Sequence, residues 1–457
     1  MDKPDAVAAS KSATAKLAEH FCGINYQSLD AVVVSTVKRL ITDGISVAIA
    51  GSREEAPTIF AEHIRDSACV PLATAWGFGF KTTPSNAACL NGISMHVLDY
   101  EPMSNPPAHA LSPTVPVAFA LAEHKSLTGH DIITACAKGF EVQGRLLLAA
   151  NPRRRSMAFH APGVVGVIGA VVTAGHMLGL TPAQLAHAMG IAASRCGGLH
   201  ANHGSMAKAM HCGSAAANGL EAALLAQRGF TAHPAILEAK DGYVETFFPK
   251  QFDYDALFAS GQPYRCVSPG MAIKFYPSKY PTQFAIAAAL QVRRLIGTSR
   301  KIKEVRVIAP DIGDVDRPQP RNGLEGKFSF QYTVAIALLD GKVTGASFTD
   351  ERRFSTDAVE LLEHTRLVRD PALSKDTRSM TVSVAVTLAD GTEHMHACSK
   401  PPGFWGEPVD DELHRVKIDE CFSARFDAAK SAEIVSLLSR LDQLNSAETA
   451  ALIKSLG

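Results

Sequence analysis

Five stretches carry side chains that could do chemistry, and the first is Ala201–Gly219, ANHGSMAKAMHCGSAAANG, in which one lysine sits among Gly, Ala and Ser. Small residues let a backbone or a ligand approach closely, so Lys208 can present its ammonium to a bound anion. Read as a helix with Ser205 as N-cap, the run places Lys208 in the first turn, where the helix dipole disfavours a cation unless an anion is present too. The alternative is a solvated lysine on a helix packed through its alanines. A second stretch, His96–His109 (HVLDYEPMSNPPAH), ends a helix at Asp99 and runs through prolines to His109. Such a loop frees a histidine for proton transfer while proline limits its wandering. Met157–Gly163 (MAFHAPG) puts His160 directly before a helix start, and a capping or core role is its plainer reading.

Ile273–Tyr280 (IKFYPSKY) gathers Lys274 and Lys279 with two tyrosines where the chain changes character. Clustered ammonium and phenol groups suit a carboxylate; a basic linker is the alternative. Lys327–Tyr332 (KFSFQY) ends in Tyr332, for which packing in a core is the safer reading. No GxGxxG follows a strand, and GxxxxGK[ST], HExxH and a strand-to-helix GxSxG are missing. Three cations and two histidines with one or two acids favour an anionic substrate over a metal, and no cofactor is expected.

The elements that must position these groups fall into two kinds. From Ser12 to about Arg265 helical spacing dominates, with helices expected at 28–50, 54–66, 85–99, 113–124, 129–149, 163–178, 182–195 and 205–228. In 28–50, Val32, Val33, Val37, Leu40, Ile41 and Ile45 form the apolar stripe. After Val267 the pattern becomes α+β: a strand at Lys301–Pro310, a hairpin at Ser379–Ala397 with Val382, Val384, Val386 and Leu388 on one face, and helices at 282–296, 332–339 and 357–364. Beyond Pro401-Pro402-Gly403 it is helical again. The fold expected is mostly α with an α+β second domain: a helical domain over 1–266, a smaller α+β domain over 267–403, and C-terminal helices over 404–457 that pack back on the first.

Composition bounds the class. A chain of 457 residues that is 46% hydrophobic and 20% charged can bury large cores, and 45 Lys plus Arg against 45 Asp plus Glu leaves no field for nucleic acid. The longest basic run is Arg153–Arg155. Nine scattered cysteines without a CxxC pair fit a reducing cytoplasm, and the N-terminus lacks the apolar core of a signal peptide or membrane anchor.

Taken together and in this order, GSMAKAMHCG, FHAPGVVG, IKFYP and SFQY resemble the MmgE/PrpD family of 2-methylcitrate dehydratases, cis-aconitate decarboxylases and iminodisuccinate epimerases, over about Ala15 to Cys421. The resemblance implies a large helical domain with a smaller α+β lid, as a homodimer. It also implies that His109 is the catalytic histidine, that Asp99 lines the same pocket, that His160 precedes the Gly-rich helix, that Lys208 and Lys274 are cleft lysines, and that Tyr332 is the pocket tyrosine. Where relatives have a DFDDT-like run, this chain reads Asp99-Tyr100-Glu101-Pro102-Met103, so Met103 stands for a substrate-contacting Thr. Lys279 stands where some relatives carry a histidine. The chemistry implied is cofactor-independent proton transfer at a carbon next to a carboxylate of a small di- or tricarboxylic acid. Cations hold the charge that develops: Lys208 and Lys274, with Lys279 as an anchor. In this scheme Asp99 orients His109, and His160 or Tyr332 handles the second proton. Elimination of water or carbon dioxide makes the chain a lyase, return of the proton on the other face an epimerase, and loss of turnover a metabolite-binding protein.

Overall fold

The computed structural model describes residues 12–150, 159–249, 252–259, 261, 263–297 and 301–457. The basic run Arg153–Arg155 and the first two residues of Met157–Gly163 lie outside the described residues. The chain divides into two compact units: Met1–Val97, Glu101–Ala272 and Glu412–Gly457 form the larger, and Leu98–Tyr100 with Ile273–Asp411 the smaller.

The larger unit is built on helices α1 (Ala13–Gly23), α2 (Ala31–Gly51), α3 (Glu55–Arg65), α4 (Pro84–Val97), α5 (Val115–Lys125), α6 (Gly129–Ala150), α7 (Ala161–Met177), α8 (Pro182–Ala193) and α9 (Ala207–Gln227). Apolar periodicity and local capping explain why they form. In α2 the stripe Val33, Val37, Leu40, Ile41 and Ile45 is buried, whereas Val32, counted in that stripe by spacing, is 56% exposed. Helix α8 starts on a capping box in which Thr181 and Gln184 satisfy each other's backbone N–H groups. The start of α9 differs from expectation: Met206 takes the cap position without a side-chain bond, and Ser205 Oγ donates back to the Asn202 carbonyl. A short hairpin, β1 (Ala73–Ala75) and β2 (Phe80–Thr82), interrupts the helices. Three-residue strands leave too little alternation to read.

Helix α9 packs closely on α4 and α7 because it places a glycine at each point of closest approach, Gly213 against α4 and Gly219 against α7. A Cβ built on Gly213 would stand 2.4 Å from the Cys89 carbonyl oxygen of α4. The same approach brings the start of α9 alongside the end of α4. The C-terminal helices, from Asp411–Phe422 onward, are tied to α2 by a buried carboxylate: Asp43 accepts from Lys417 Nζ at 2.8 Å and His414 Nε2 at 2.9 Å.

The smaller unit holds a four-stranded sheet in the order β4-β3-β5-β6, from β3 (Ile302–Ala309), β4 (Thr365–Arg369), β5 (Val382–Leu388) and β6 (Glu393–Cys398). Strands β3 and β4 are parallel and the other pairs antiparallel. Val382, Val384, Val386 and Leu388 are all buried, as alternation requires. Against the sheet lies α10 (Tyr280–Ile296), followed by α11 (Phe330–Asp340). Edge strand β4 was not anticipated; most of its side chains are exposed, so it shows no buried alternation. Residues 98–100 belong to this unit through a buried pair: Lys274 Nζ donates to the Asp99 carbonyl at 2.7 Å and to Asp99 Oδ1, while Asp99 takes a left-handed φ of 52°.

Two outcomes are expected. Replacing Lys274 by Met strands the Asp99 carboxylate and should cost about 3–5 kcal/mol of stability; adding Asp99→Asn should recover much of this, and urea titrations showing strictly additive losses would dismiss the coupling. In the larger unit, Lys138 Nζ donates to His176 Nδ1 at 2.9 Å, and burial, then the Lys138 charge, holds the His176 pKa down at about 4 against an ordinary 6.5. Below pH 6.5 the unfolded chain takes a proton here and the folded chain does not, so stability falls as pH drops toward 4, by up to about 3 kcal/mol from this residue. His176→Gln should therefore unfold with a flatter pH dependence; slopes equal to wild type would show that His176 does not titrate in this way.

Candidate functional site

The larger unit gathers a buried group of titratable side chains around the carboxylate of Glu101. Glu101 has no exposed surface, and its Oε1 lies 2.6 Å from His96 Nδ1 and 2.8 Å from His109 Nδ1. Ser112 Oγ donates to the same oxygen at 3.3 Å. The rings of His96 and His109 meet edge to face with centroids 4.4 Å apart. His160 stands across from both, its ring 5.4 Å from His96 and 6.1 Å from His109.

Each histidine is positioned by a different device. His96 occupies the last turn of α4. His109 rides on a loop that α6 grips at two points. Gln143 Nε2 donates to the Ala110 carbonyl at 3.1 Å and to Thr114 Oγ1 at 2.8 Å. Glu141, also on α6, accepts from the Arg265 N–H, and the Arg265 guanidinium donates to the Asn105 carbonyl. Ser104 closes the loop with bonds to the Pro106 and Ala108 carbonyls. Met103 is held by paired backbone bonds to Ala272, each 2.8 Å, and is buried.

His160 takes the N-cap position of α7 but makes no capping bond with its side chain. Its backbone N–H donates to the Gly198 carbonyl at 2.9 Å, beside an isolated bridge between Phe159 and Leu199. Gly163 permits this seam, since a Cβ there would stand 1.7 Å from the Gly197 oxygen. The seam delivers more histidines: His203 lies 5.0 Å from His160 ring to ring, His200 lies 4.5 Å from His203, and His211 Nδ1 is 3.2 Å from His160 Nδ1. His211 also lines a cavity of about 310 Å³ with Arg195, Met210 and Asn218.

Lys208 lies in the first turn of α9 and is only 7% exposed. Burial, then the charges of His96, Lys208, His203 and His211, pushes the His160 pKa well below its ordinary value. His211 is lowered by burial, then Lys208 and His200. At neutral pH both rings are therefore uncharged, and Lys208 with the N-terminal end of α9 supplies positive potential.

Of the residues singled out in the sequence, the larger unit thus brings His109, His160 and Lys208 into one group. The carboxylate against His109 is that of Glu101; Asp99, expected to orient it, is bonded by Lys274 in the smaller unit. Tyr332 is fully buried there, donates its hydroxyl to the Ser347 carbonyl at 2.6 Å, and has its pKa pushed up to about 12 by burial. Lys279 pairs with Asp314. Spacing did not single out Glu101, His96, His200, His203 or His211, although His96 and Glu101 stand within the stretch that ends at His109.

All nine cysteines are free thiols, and no helix among the described residues is long and apolar enough to cross a membrane. The model of the MmgE/PrpD N-terminal domain matches residues 15–255, and that of the MmgE/PrpD C-terminal domain matches residues 276–443. The chain is 28% identical over 447 residues to cis-aconitate decarboxylase of Mus musculus, covering 95% of this chain and 91% of that protein. It is 24% identical over 477 residues to cis-aconitate decarboxylase of Aspergillus terreus, covering 97% and 96%. With 2-methylcitrate dehydratase of Escherichia coli (strain K12) it shares 28% identity over 292 residues, 60% of this chain and 59% of that protein. The two domain-model matches, over residues 15–255 and 276–443, make the chain a member of the MmgE/PrpD family.

Proposed function

We propose that the chain is a lyase that removes a proton next to a carboxylate of a small di- or tricarboxylic acid and then expels water or carbon dioxide, without a cofactor. The observation that carries this reading is the placement of His109, Glu101, His160 and Lys208 in one buried group of the larger unit. The relatives' names, cis-aconitate decarboxylase and 2-methylcitrate dehydratase, support the substrate class.

Taking a proton from such a carbon puts more charge on an anionic group. A buried ammonium at a helix N-terminus is suited to hold that charge, because two sources of positive potential converge where water is scarce. His109 acts as the base: Glu101 against its Nδ1 stabilises the imidazolium that forms and keeps the ring oriented. The second proton is the one His109 has taken up as imidazolium, handed on directly or relayed through His160, whose ring is uncharged at neutral pH and has no acid proton of its own to supply. In a dehydration the β-hydroxide leaves with that proton as water; in a decarboxylation carbon dioxide leaves and the proton returns to carbon. Tyr332 and Met103 are assigned to substrate recognition by resemblance, and Lys274 and Lys279 also by their clustering with two tyrosines; Tyr332, Lys274 and Lys279 already have partners within their own unit. The assembly proposed is a homodimer in the cytoplasm, which the free cysteines support; light scattering on the eluting protein tests the former.

Incubation in deuterated buffer with cis-aconitate, trans-aconitate, citrate, 2-methylcitrate, itaconate and iminodisuccinate, followed by proton NMR, should show deuterium entering one compound together with net elimination. Exchange without net product would make the chain an epimerase, and silence across the panel would favour a binding protein. With the substrate in hand, His109→Ala should lose about 100-fold or more in turnover while keeping its thermal unfolding profile, and Glu101→Gln should lose turnover in the same sense. A fully active His109→Ala enzyme would sink the assignment.

A further inference from the structure

The histidines around Glu101 are arranged for more than proton transfer. One ring nitrogen from each of His96, His109 and His160 lies within 4.8 Å of the corresponding nitrogens of the other two, and all three residues are buried. Ligands of a tetrahedral Zn²⁺ stand about 3.3–3.5 Å apart, given bond lengths near 2.0–2.1 Å, so small ring rotations would close the triad on an ion. The tautomers suit this as well. Glu101 Oε1, hydrogen-bonded to His96 Nδ1 at 2.6 Å, favours a proton on that Nδ1 and so puts the ring's lone pair on Nε2, while His109 Nδ1 meets the same oxygen at 2.8 Å without hydrogen-bond alignment. A carboxylate behind the imidazoles is the usual support of a histidine metal site, fixing ring orientation and raising ligand basicity. His160 meets His211 nitrogen to nitrogen at 3.2 Å; with the bridging proton on His160 Nδ1, its lone pair also falls on Nε2.

We infer that His96, His109 and His160 form a three-nitrogen site for a divalent transition ion of the zinc class, with Glu101 as the supporting carboxylate, and that occupancy of this site switches off proton transfer. Three imidazole nitrogens leave a fourth position open, the arrangement of a reactive rather than a structural zinc site. The neighbouring charges bear on such an ion in opposite senses. Lys208 opposes it by charge, and Glu101 offsets Lys208. Both charges lie in the larger unit with the triad, as does the cavity lined by His211, whose Nδ1 is 3.2 Å from that of His160. The switching consequence rests on the proton-transfer reading above: a ring nitrogen that ligates a metal cannot accept a proton from substrate.

Cobalt(II) is the probe, because in a tetrahedral nitrogen site it absorbs visibly whether or not the protein turns anything over. The full chain, freed of metal with a chelator, should take up one Co²⁺ with tetrahedral absorption, and Zn²⁺ should displace it. His96→Gln and His160→Gln, each checked for an unchanged thermal profile, should weaken Co²⁺ by at least about 100-fold, and Glu101→Gln by about 10–100-fold. His203→Gln, outside the triad, should leave affinity within about 2-fold. Octahedral or absent Co²⁺ absorption, or unchanged affinity in both triad variants, would overturn the site while leaving the lyase reading intact. Loss of affinity in His203→Gln instead would overturn the ligand assignment. With the substrate identified by isotope exchange, one equivalent of Zn²⁺ should abolish turnover and chelation restore it; undiminished turnover by the zinc-loaded protein would overturn the switch. Metal uptake by a protein that exchanges no substrate proton would leave the site standing and remove the lyase reading.

Discussion

The constraint on which the larger unit's chemistry depends is the burial of one carboxylate. A charge with no access to water costs several kcal/mol unless groups around it compensate. Glu101 is compensated at one of its oxygens by hydrogen bonds with His96 and Ser112 and by His109 Nδ1 standing 2.8 Å away. That requirement forces three segments to meet: the last turn of α4, the proline-rich loop, and the turn that opens into α5. Loops seldom hold a side chain to such tolerance unaided. Here the grip comes from α6, whose Gln143 and Glu141 are buried polar residues with their bonds committed to the loop and to Arg265. Buried polar groups on a core helix weaken it, so the Gln143 amide N–H and the Glu141 carboxylate make sense as positioning groups for the His109 loop and poor sense as packing.

The second requirement is close approach of backbones. Without a side chain at Gly213, α9 lies near enough to α4 for His211 and Lys208 to join the histidines that α4 and its loop provide. The Gly197-Gly198 turn and Gly163 do the same for the start of α7. Small residues at these contacts thus bring titratable groups from distant stretches into one charge environment, and that environment in turn sets the protonation of His160 and His211.

What could be read in the sequence follows from the same physics. Long helices with an apolar stripe were legible to within a few residues, because burial of one face imposes the period. The hairpin at 73–82 and edge strand β4 were not: the first is too short to show a period, and the second has no buried face. His109, His160 and Lys208 were legible as candidates because proline or small neighbours mark them. Their partners were not. Asp99 and Glu101 are two residues apart, and a left-handed turn at Asp99 with a lysine 175 residues away sends their carboxylates to different tasks. Nothing local predicts which acid meets His109. Tyr332 shows the converse: its place in a family motif drew attention to it, but its hydroxyl is committed to a carbonyl within its own unit.

The buried group also sets its own choice of occupant. At neutral pH its His160 and His211 rings are uncharged, and they share the group with the Glu101 carboxylate and with Lys208 beside a helix N-terminus. An anion gains from Lys208 and the helix end but asks nothing of the imidazole lone pairs until a proton moves. A divalent cation gains from those lone pairs and from Glu101 but must tolerate Lys208. Because the two occupants draw on different members of the same group, neither is excluded by the net charge. What separates them is the Glu101 carboxylate. Held against two Nδ1 atoms, it prepares the opposite nitrogens to accept either a proton or a metal, and the neighbouring ammonium tilts that balance toward the proton whenever a carboxylate is bound.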